Sequence, residues 1–431
     1  ELTADSDLDL VVVYDFDEER RESAGPRPLD AVIDPAFTEP VFDEARIDEQ
    51  VRGLIGRPGD FEDFLDRTRD AARQMRFITG ARMLSGILAP AQAGEAFSAV
   101  AAAVVRASLA SVQEAFAHEH GSVPGGRIAV LGLGRLGSRE LTADSDLDLV
   151  VVYDFDEERR ESTGPRPLDA VVYYTRLTQR LVSALTAPTR RGRLYEVDLR
   201  LRPQGGKGPL ASQFRGFVAY QAGEAELWEH MALTRARVLA ADASFGDEVA
   251  AAVAGIVAQP RSPAEVAKQV RAMRALIAQE KGDRDPWDIK LAAGGLTDVD
   301  FLAQAILLAH GRDRPDLVGR PTDEVLLAAA ALGLTGAEEA RELVEAHRLF
   351  GAVLHWQRLM IAGPFDPAAV SPAILKRLAA AVGLPDAGVL LRQLDDARAR
   401  VRAIAAEAYD RMGATPAAGG TASKRRKAPT G

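Results

Sequence analysis

The sequence predicts an α+β protein: a short mixed β-sheet flanked by helical regions, including a C-terminal helical bundle. Three observations predict it. Apolar residues between 42 and 120 recur at helical spacing, as in Phe97, Val100, Ala101, Val104 and Val105. Residues 125–245 alternate apolar and polar positions in short runs punctuated by Gly and Pro. Beyond Pro260 and Pro263 the pattern turns helical again, with stripes such as Leu302, Ile306, Leu307 and Leu349, Val353, Trp356.

With 431 residues the chain has room for two to four domains, and its 47% hydrophobic, 27% charged composition is that of an ordinary soluble globular protein. No run approaches the roughly 18–20 apolar residues of a membrane span, and no N-terminal segment reads as a signal peptide. Cysteine is absent, which removes disulfides, thiolate metal sites and cysteine nucleophiles together and fits a cytoplasmic enzyme. A formal charge of −10 argues against general nucleic-acid binding, which rests on Lys and Arg contacts to phosphates.

Residues 1–32 repeat residues 140–171 with one change, Ala24 for Thr163. Old structural repeats diverge further, so the pair reads as a recent duplication, a chimaera or a misread gene. The first copy lacks the GRIAVLGLGRLGS stretch that precedes the second, and is expected to be inert at Asp7 and Asp9. Residues 33–124 read as a helical region, 125–245 as the α+β centre and 258–412 as the C-terminal bundle. Residues 413–431 are rich in Ala, Gly, Pro and Thr, carry SKRRK at Ser423–Lys427, and read as a disordered basic tail.

In the centre, Gly132-Leu133-Gly134-Arg135-Leu136-Gly137 follows the apolar run Ile128–Leu131, and Asp154 closes the next strand. Together they imitate a dinucleotide-binding fingerprint. Geometry argues against that reading. A crossover to a parallel strand takes a dozen or more residues, and only the nine of SRELTADSD separate Gly137 from Leu147. The spacing supports phosphoryl chemistry instead. Gly137 and Ser138 can offer backbone N–H groups and a hydroxyl to phosphate at a short helix start. Asp146 and Asp148 share a strand face opposite Leu147, Leu149 and Val151, and paired carboxylates hold hard cations such as Mg2+. A third strand, expected over Leu194–Arg202, puts Glu196, Asp198, Arg200 and Arg202 on one face. Asp198 then completes a three-carboxylate cluster for two Mg2+, and Arg200 and Arg202 steady phosphates. Lys207, in QGGKGP, either contacts the triphosphate or is an exposed turn lysine.

GLGRLGSRELTADSDLDLVVVYD, LYEVDLRLRPQGGKGP, WEHMALTRARV and KLAAGGLTDVDFLAQ follow one another in this order. Together they resemble the glutamine synthetase adenylyltransferase/adenylyl-removing enzyme family of the nucleotidyltransferase superfamily. The likeness covers roughly residues 30–411. Trp228-Glu229-His230 with Arg235-Ala236-Arg237 is similar to the C-terminal, attaching half rather than the removing one. The resemblance implies a nucleotidyltransferase domain that transfers AMP from ATP to a tyrosine of glutamine synthetase, releasing pyrophosphate and regulating nitrogen assimilation. It implies that Asp146, Asp148 and Asp198 are the catalytic metal ligands and that Gly137 and Ser138 hold the nucleotide phosphates. It also implies the PII signalling protein and glutamine as controllers, with the helices after Pro263 docking partners. Arg135 and Asp300 depart mildly from the family's usual KLG and D-I-E-F. Two alternatives stay open: a nucleotidyltransferase with another acceptor, and a catalytically silent scaffold that binds PII or glutamine synthetase.

His118-Glu119-His120 reads as a helix end before Gly121, because i,i+2 residues do not share a helix face. His230 reads as structural or site-orienting, and Asp298 and Asp300 as caps at a helix start. Lys281 and Lys290 read as surface charge, with reach toward the site as the second reading.

Overall fold

The computed structural model describes residues 43–242, 244–361 and 365–414. The duplicated segment 1–32, with Asp7 and Asp9, and the basic tail from 415 onward lie outside the described residues. The chain divides into two compact units, one of residues 1–213, 238–243 and 355–362, the other of 214–237, 244–354 and 363–431.

The first unit opens with three helices, α1 (Glu44–Ile55), α2 (Phe61–Leu84) and α3 (Pro90–His120). Side chains cap the first two: Asp43 accepts from Ala45 N–H, and Asp60 from Asp63 N–H at 2.8 Å. Pro90 opens α3 and Gly121, at φ +70°, closes it just after His118-Glu119-His120, as expected. The predicted stripe Phe97, Val100, Ala101, Val104 and Val105 is buried throughout. By length and composition α3 could cross a membrane, contrary to the sequence reading that no run comes near. Its apolar window is 72% buried inside the protein, as a core helix would be.

The sheet follows. Strands β1 (Arg127–Gly132) and β2 (Leu147–Asp154) are antiparallel, in register from Arg127 opposite Asp154 to Gly132 opposite Leu149. That return needs only the short turn α4 (Gly134–Gly137) and a loop, so the parallel crossover of a dinucleotide fold is absent here. After α5 (Ala170–Thr186) come β3 (Val197–Asp198), β4 (Ala211–Gln213) and β5 (Arg237–Ala241). β3 pairs parallel with the start of β2 and β4 with its later half, while β5 lies beyond β1, which makes the sheet mixed. The core runs between β1, β2 and the faces of α1, α2, α3 and α5.

The second unit is helical: α6 (Phe214–Gly223), α7 (Leu227–Leu233), α8 (Phe245–Val257), α9 (Pro263–Lys281), α10 (Leu296–His310), α11 (Thr322–Ala331), α12 (Ala337–Met360, within this unit to Leu354), α13 (Pro372–Ala381) and α14 (Ala387–Ala414). Ser262 and Pro263 start α9. The stripe Leu302, Ile306, Leu307 is the buried face of α10, which packs on α9, α11 and α14.

Candidate active site

β2 begins at Leu147, so Asp146 is the last residue of the preceding loop and Asp148 the second residue of the strand. Leu147 N–H donates to Glu196 O at 2.9 Å and starts a parallel pairing that sets Asp148 opposite Asp198. The ligand oxygens of Asp146, Asp148 and Asp198 consequently lie within 4.8 Å of one another. Like charges this close repel. Arg200 offsets part of that repulsion: its backbone N–H donates to Asp198 Oδ1 and its Nε to Oδ2, both at 2.8 Å, and its Nη2 also donates to Oδ2. These bonds hold the Asp198 carboxyl below the usual carboxylate range.

An all-oxygen, triply anionic donor set suits a hard divalent cation, and the residues fit Mg2+ on that ground. The approach of Gly134 belongs to the same cradle. At φ +55° its backbone is left-handed, and a Cβ there would stand 2.4 Å from Asp148 Oδ2.

Around the cluster, side chains from the helices fix the loops. Arg76 of α2 donates through Nη2 to Ala143 O and through Nη1 to Leu194 O, three residues before Asp146 and four before Asp198. Its guanidinium lies 5.3 Å from the Tyr195 ring centroid. Ser98 of α3 accepts from Leu141 N–H, and Thr142 bonds Ser145 to close the turn into Asp146. Arg139 sits at φ +63°, rare for a residue with a side chain, at the corner between α4 and this loop.

Several expected contributions take a different form. Gly137 and Ser138 end the turn α4 instead of starting a helix. Their N–H groups donate to Leu133 O and Gly134 O, and the fully buried Ser138 hydroxyl bonds Gly134 O and Glu140 Oε2. The third strand is two residues long, not Leu194–Arg202, because the chain turns at Leu199. Arg202 is buried in that turn, bonding Leu199 O at 2.6 Å and Gly208 O at 3.3 Å. It therefore braces the Gly-rich turn, and its charge adds a smaller contribution to lowering the Asp198 carboxyl. Lys207 is exposed at the end of the 3-10 turn Gly205–Lys207.

In the helical unit, His230 is buried, with Nε2 on Gln221 O at 2.9 Å and Nδ1 on Arg261 Nη2 at 3.0 Å. Burial holds its imidazole below the ordinary value, and both ring nitrogens are engaged, which is a structural role. Asp298 and Asp300 do not cap α10, whose N-cap is Gly295. Asp298 accepts from Arg274 and Gly294 N–H; buried Asp300 accepts from Arg235 and Thr322, each at 2.9 Å. Lys281 is exposed at the end of α9 and Lys290 on the following loop.

Comparison with known proteins decides the family. Residues 20–252 match the family model of glutamate–ammonia ligase adenylyltransferase, more than half of the chain. The chain belongs to that family. Residues 271–409 match a second family model, GlnD PII-uridylyltransferase. A bifunctional glutamine synthetase adenylyltransferase/adenylyl-removing enzyme of Xanthobacter autotrophicus is 44% identical over 380 residues, 88% of this chain. Enzymes of the same name from Bradyrhizobium diazoefficiens and Rhodopseudomonas palustris are each 41% identical over 379 residues. This member of the adenylyltransferase family spans 38% of the length of those relatives.

Sequence reasoning missed Gly134 and Arg76 as parts of the site. The GxG motif signals Gly134, but as a close approach to a carboxylate and not to a phosphate. Arg76 has no such signal, since its partners lie 67 and 118 residues away.

Proposed function

We propose that this chain transfers AMP from ATP to a tyrosine hydroxyl of glutamine synthetase, releasing pyrophosphate and so regulating nitrogen assimilation. The convergence of Asp146, Asp148 and Asp198 in an adenylyltransferase-family chain carries the proposal. These three carboxylates are the residues that would hold Mg2+, two ions in the expected arrangement. When bound, the metal neutralises phosphate charge and favours in-line displacement at phosphorus.

The chain's own residues supply the rest. Gly134 and Arg76 keep the carboxylates in position. Arg200, whose side chain is 82% exposed, turns from Asp198 to the triphosphate, with Lys207, exposed in the following turn, as a second cation. Asp198, once released by Arg200, is the candidate acceptor for the tyrosine proton. Gly137 and Ser138 shape the phosphate-side loop through its internal bonds, and Arg202 braces the turn that carries Arg200.

The proposal includes the domain reading: 33–124 helical, 125–245 catalytic and 258–412 a regulatory bundle for PII and glutamine. It also places the chain in the cytoplasm. The names of both matching families support a role in nitrogen signalling.

The test is the intact mass of glutamine synthetase after incubation with this chain, ATP and Mg2+, with Asp148→Asn as control. One AMP gained per subunit, and lost with the variant, is the expected result. No gain with PII and glutamine supplied would favour another acceptor or a silent scaffold.

A further inference from the structure

A cleft of about 460 Å3 lies in the first unit between the end of α3, the loop that leaves β2, and α5. Its size is that of a small-molecule site. Arg166, Arg176 and Arg180 line it against a single carboxylate, Glu119. Gln179 and Ser183 add neutral polar groups along the same face of α5, at the i+3 and i+7 positions from Arg176.

The cleft is built, not merely charged. Arg166 N–H donates to Glu119 O at 3.1 Å, Gly164 N–H to His120 O at 3.0 Å, and His120 Nδ1 bonds Arg166 O at 2.7 Å. Gly164 and Gly121 touch so closely that a Cβ on Gly164 would stand 2.1 Å from Gly121 N, which locks the loop onto the helix end. The Arg180 guanidinium lies 4.9 Å from the Phe116 ring centroid.

Glu119 shows where acidic oxygens are received. Its Oε1 accepts from Arg166 at 2.6 Å, its Oε2 from Arg180 at 3.3 Å, and His120 Nε2 lies 3.7 Å from Oε2. Arg176 makes no ion pair among the described residues. One carboxylate and the half-charge of the α3 C-terminus do not balance three guanidiniums. A tetrahedral dianion matches that surplus, because guanidinium forks bind phosphate oxygens pairwise. The volume exceeds that of inorganic phosphate and leaves space for an organic body beside Leu168.

We propose that this cleft binds a small phosphorylated metabolite, with its dianionic head on Arg166, Arg176 and Arg180 in competition with Glu119. The site shares no lining residue with the carboxylate cluster of Asp146, Asp148 and Asp198. It stands independently of the adenylyl-transfer proposal.

Calorimetric titration of the full chain with glycerol 3-phosphate, in EDTA and low salt, tests it. Glycerol and succinate serve as neutral and dicarboxylate arms. Binding is expected for glycerol 3-phosphate above both, weakened about tenfold or more by Arg176→Ala with Arg180→Ala. Glu119→Gln should tighten it several-fold, and Asp148→Asn should leave it unchanged. Undetectable binding, equal binding by the double arginine variant, or tighter binding of succinate would each overturn the proposal.

Discussion

Gly134 stands against Asp148 with no space for a side chain, the carboxylate Oδ2 occupying the volume a Cβ would take, at 2.4 Å. Gly134→Ala therefore has two costs. The left-handed φ of +55° strains an alanine by about 1–2 kcal/mol, and the methyl pushes Asp148 away from Asp146 and Asp198. The expected outcome is a folded protein with weakened Mn2+ binding, read by electron paramagnetic resonance, and AMP transfer reduced about 100-fold. Unchanged metal affinity would show that the cluster does not depend on this contact.

Arg76 reinforces from the helix side the meeting of two segments that the β2–β3 pairing brings together. By holding Ala143 O and Leu194 O it aligns the segment before Asp146 with the segment before Asp198. Arg76→Ala leaves two carbonyls without that donor and is expected to lower stability by about 1–3 kcal/mol. Transfer should fall about 10- to 100-fold in kcat, with KM for ATP changed less. Arg76→Lys, which reaches but cannot fork, should recover part of the stability and little of the rate. A loss confined to KM would argue against a positioning role.

His355 is buried beside Phe97, with ring centroids 6.4 Å apart, and its Nδ1 has no partner. Burial, with a smaller contribution from Arg135, pushes its imidazole down to about 3. The unfolded chain binds the proton near 6.5. Above that pH both states are neutral and stability is complete. As pH falls toward 3 only the unfolded chain takes up the proton, so stability is lost across this window, by about 2 kcal/mol at pH 5. Urea unfolding at pH 7 and pH 5 is the measurement. His355→Leu should flatten the difference; an unchanged slope would assign it to other groups.

The parts of this protein legible in sequence are those set by local spacing. Nine residues between Gly137 and Leu147 excluded a crossover, and the structure returns antiparallel. Alternation in two apolar runs suggests that Asp198 joins Asp146 and Asp148, but the register that sets Asp148 opposite Asp198 comes from the strand pairing itself. Alternation alone overextended the third strand, because it could not register the turn that Arg202 braces with Leu199 O and Gly208 O. Spacing alone puts the GS dipeptide at a helix start, whereas hydrogen bonds to Leu133 O and Gly134 O make it a helix end. Arg76 and Asp300 were beyond reach for one reason: their partners are distant in sequence, and charge at a single position says nothing about burial.

Arg235 and Asp300 form a pair with side chains 10% and 11% exposed, and Thr322 Oγ1 donates to the second carboxylate oxygen at 2.9 Å. A pair taken out of water is costly to break from one side, because the remaining charge is left buried. Asp300→Asn is therefore expected to destabilise the helical unit by about 3 kcal/mol. Arg235→Met should cost a similar amount. Combining Arg235→Met with Asp300→Asn removes both charges, so the double variant should be clearly more stable than the two single losses added together. Urea denaturation of all four chains, followed by circular dichroism, closes that cycle. Strict additivity would mean that the pair contributes through separate contacts, and that Asp300 is held mainly by Thr322 and His347, whose Nε2 is 3.7 Å from its Oδ1.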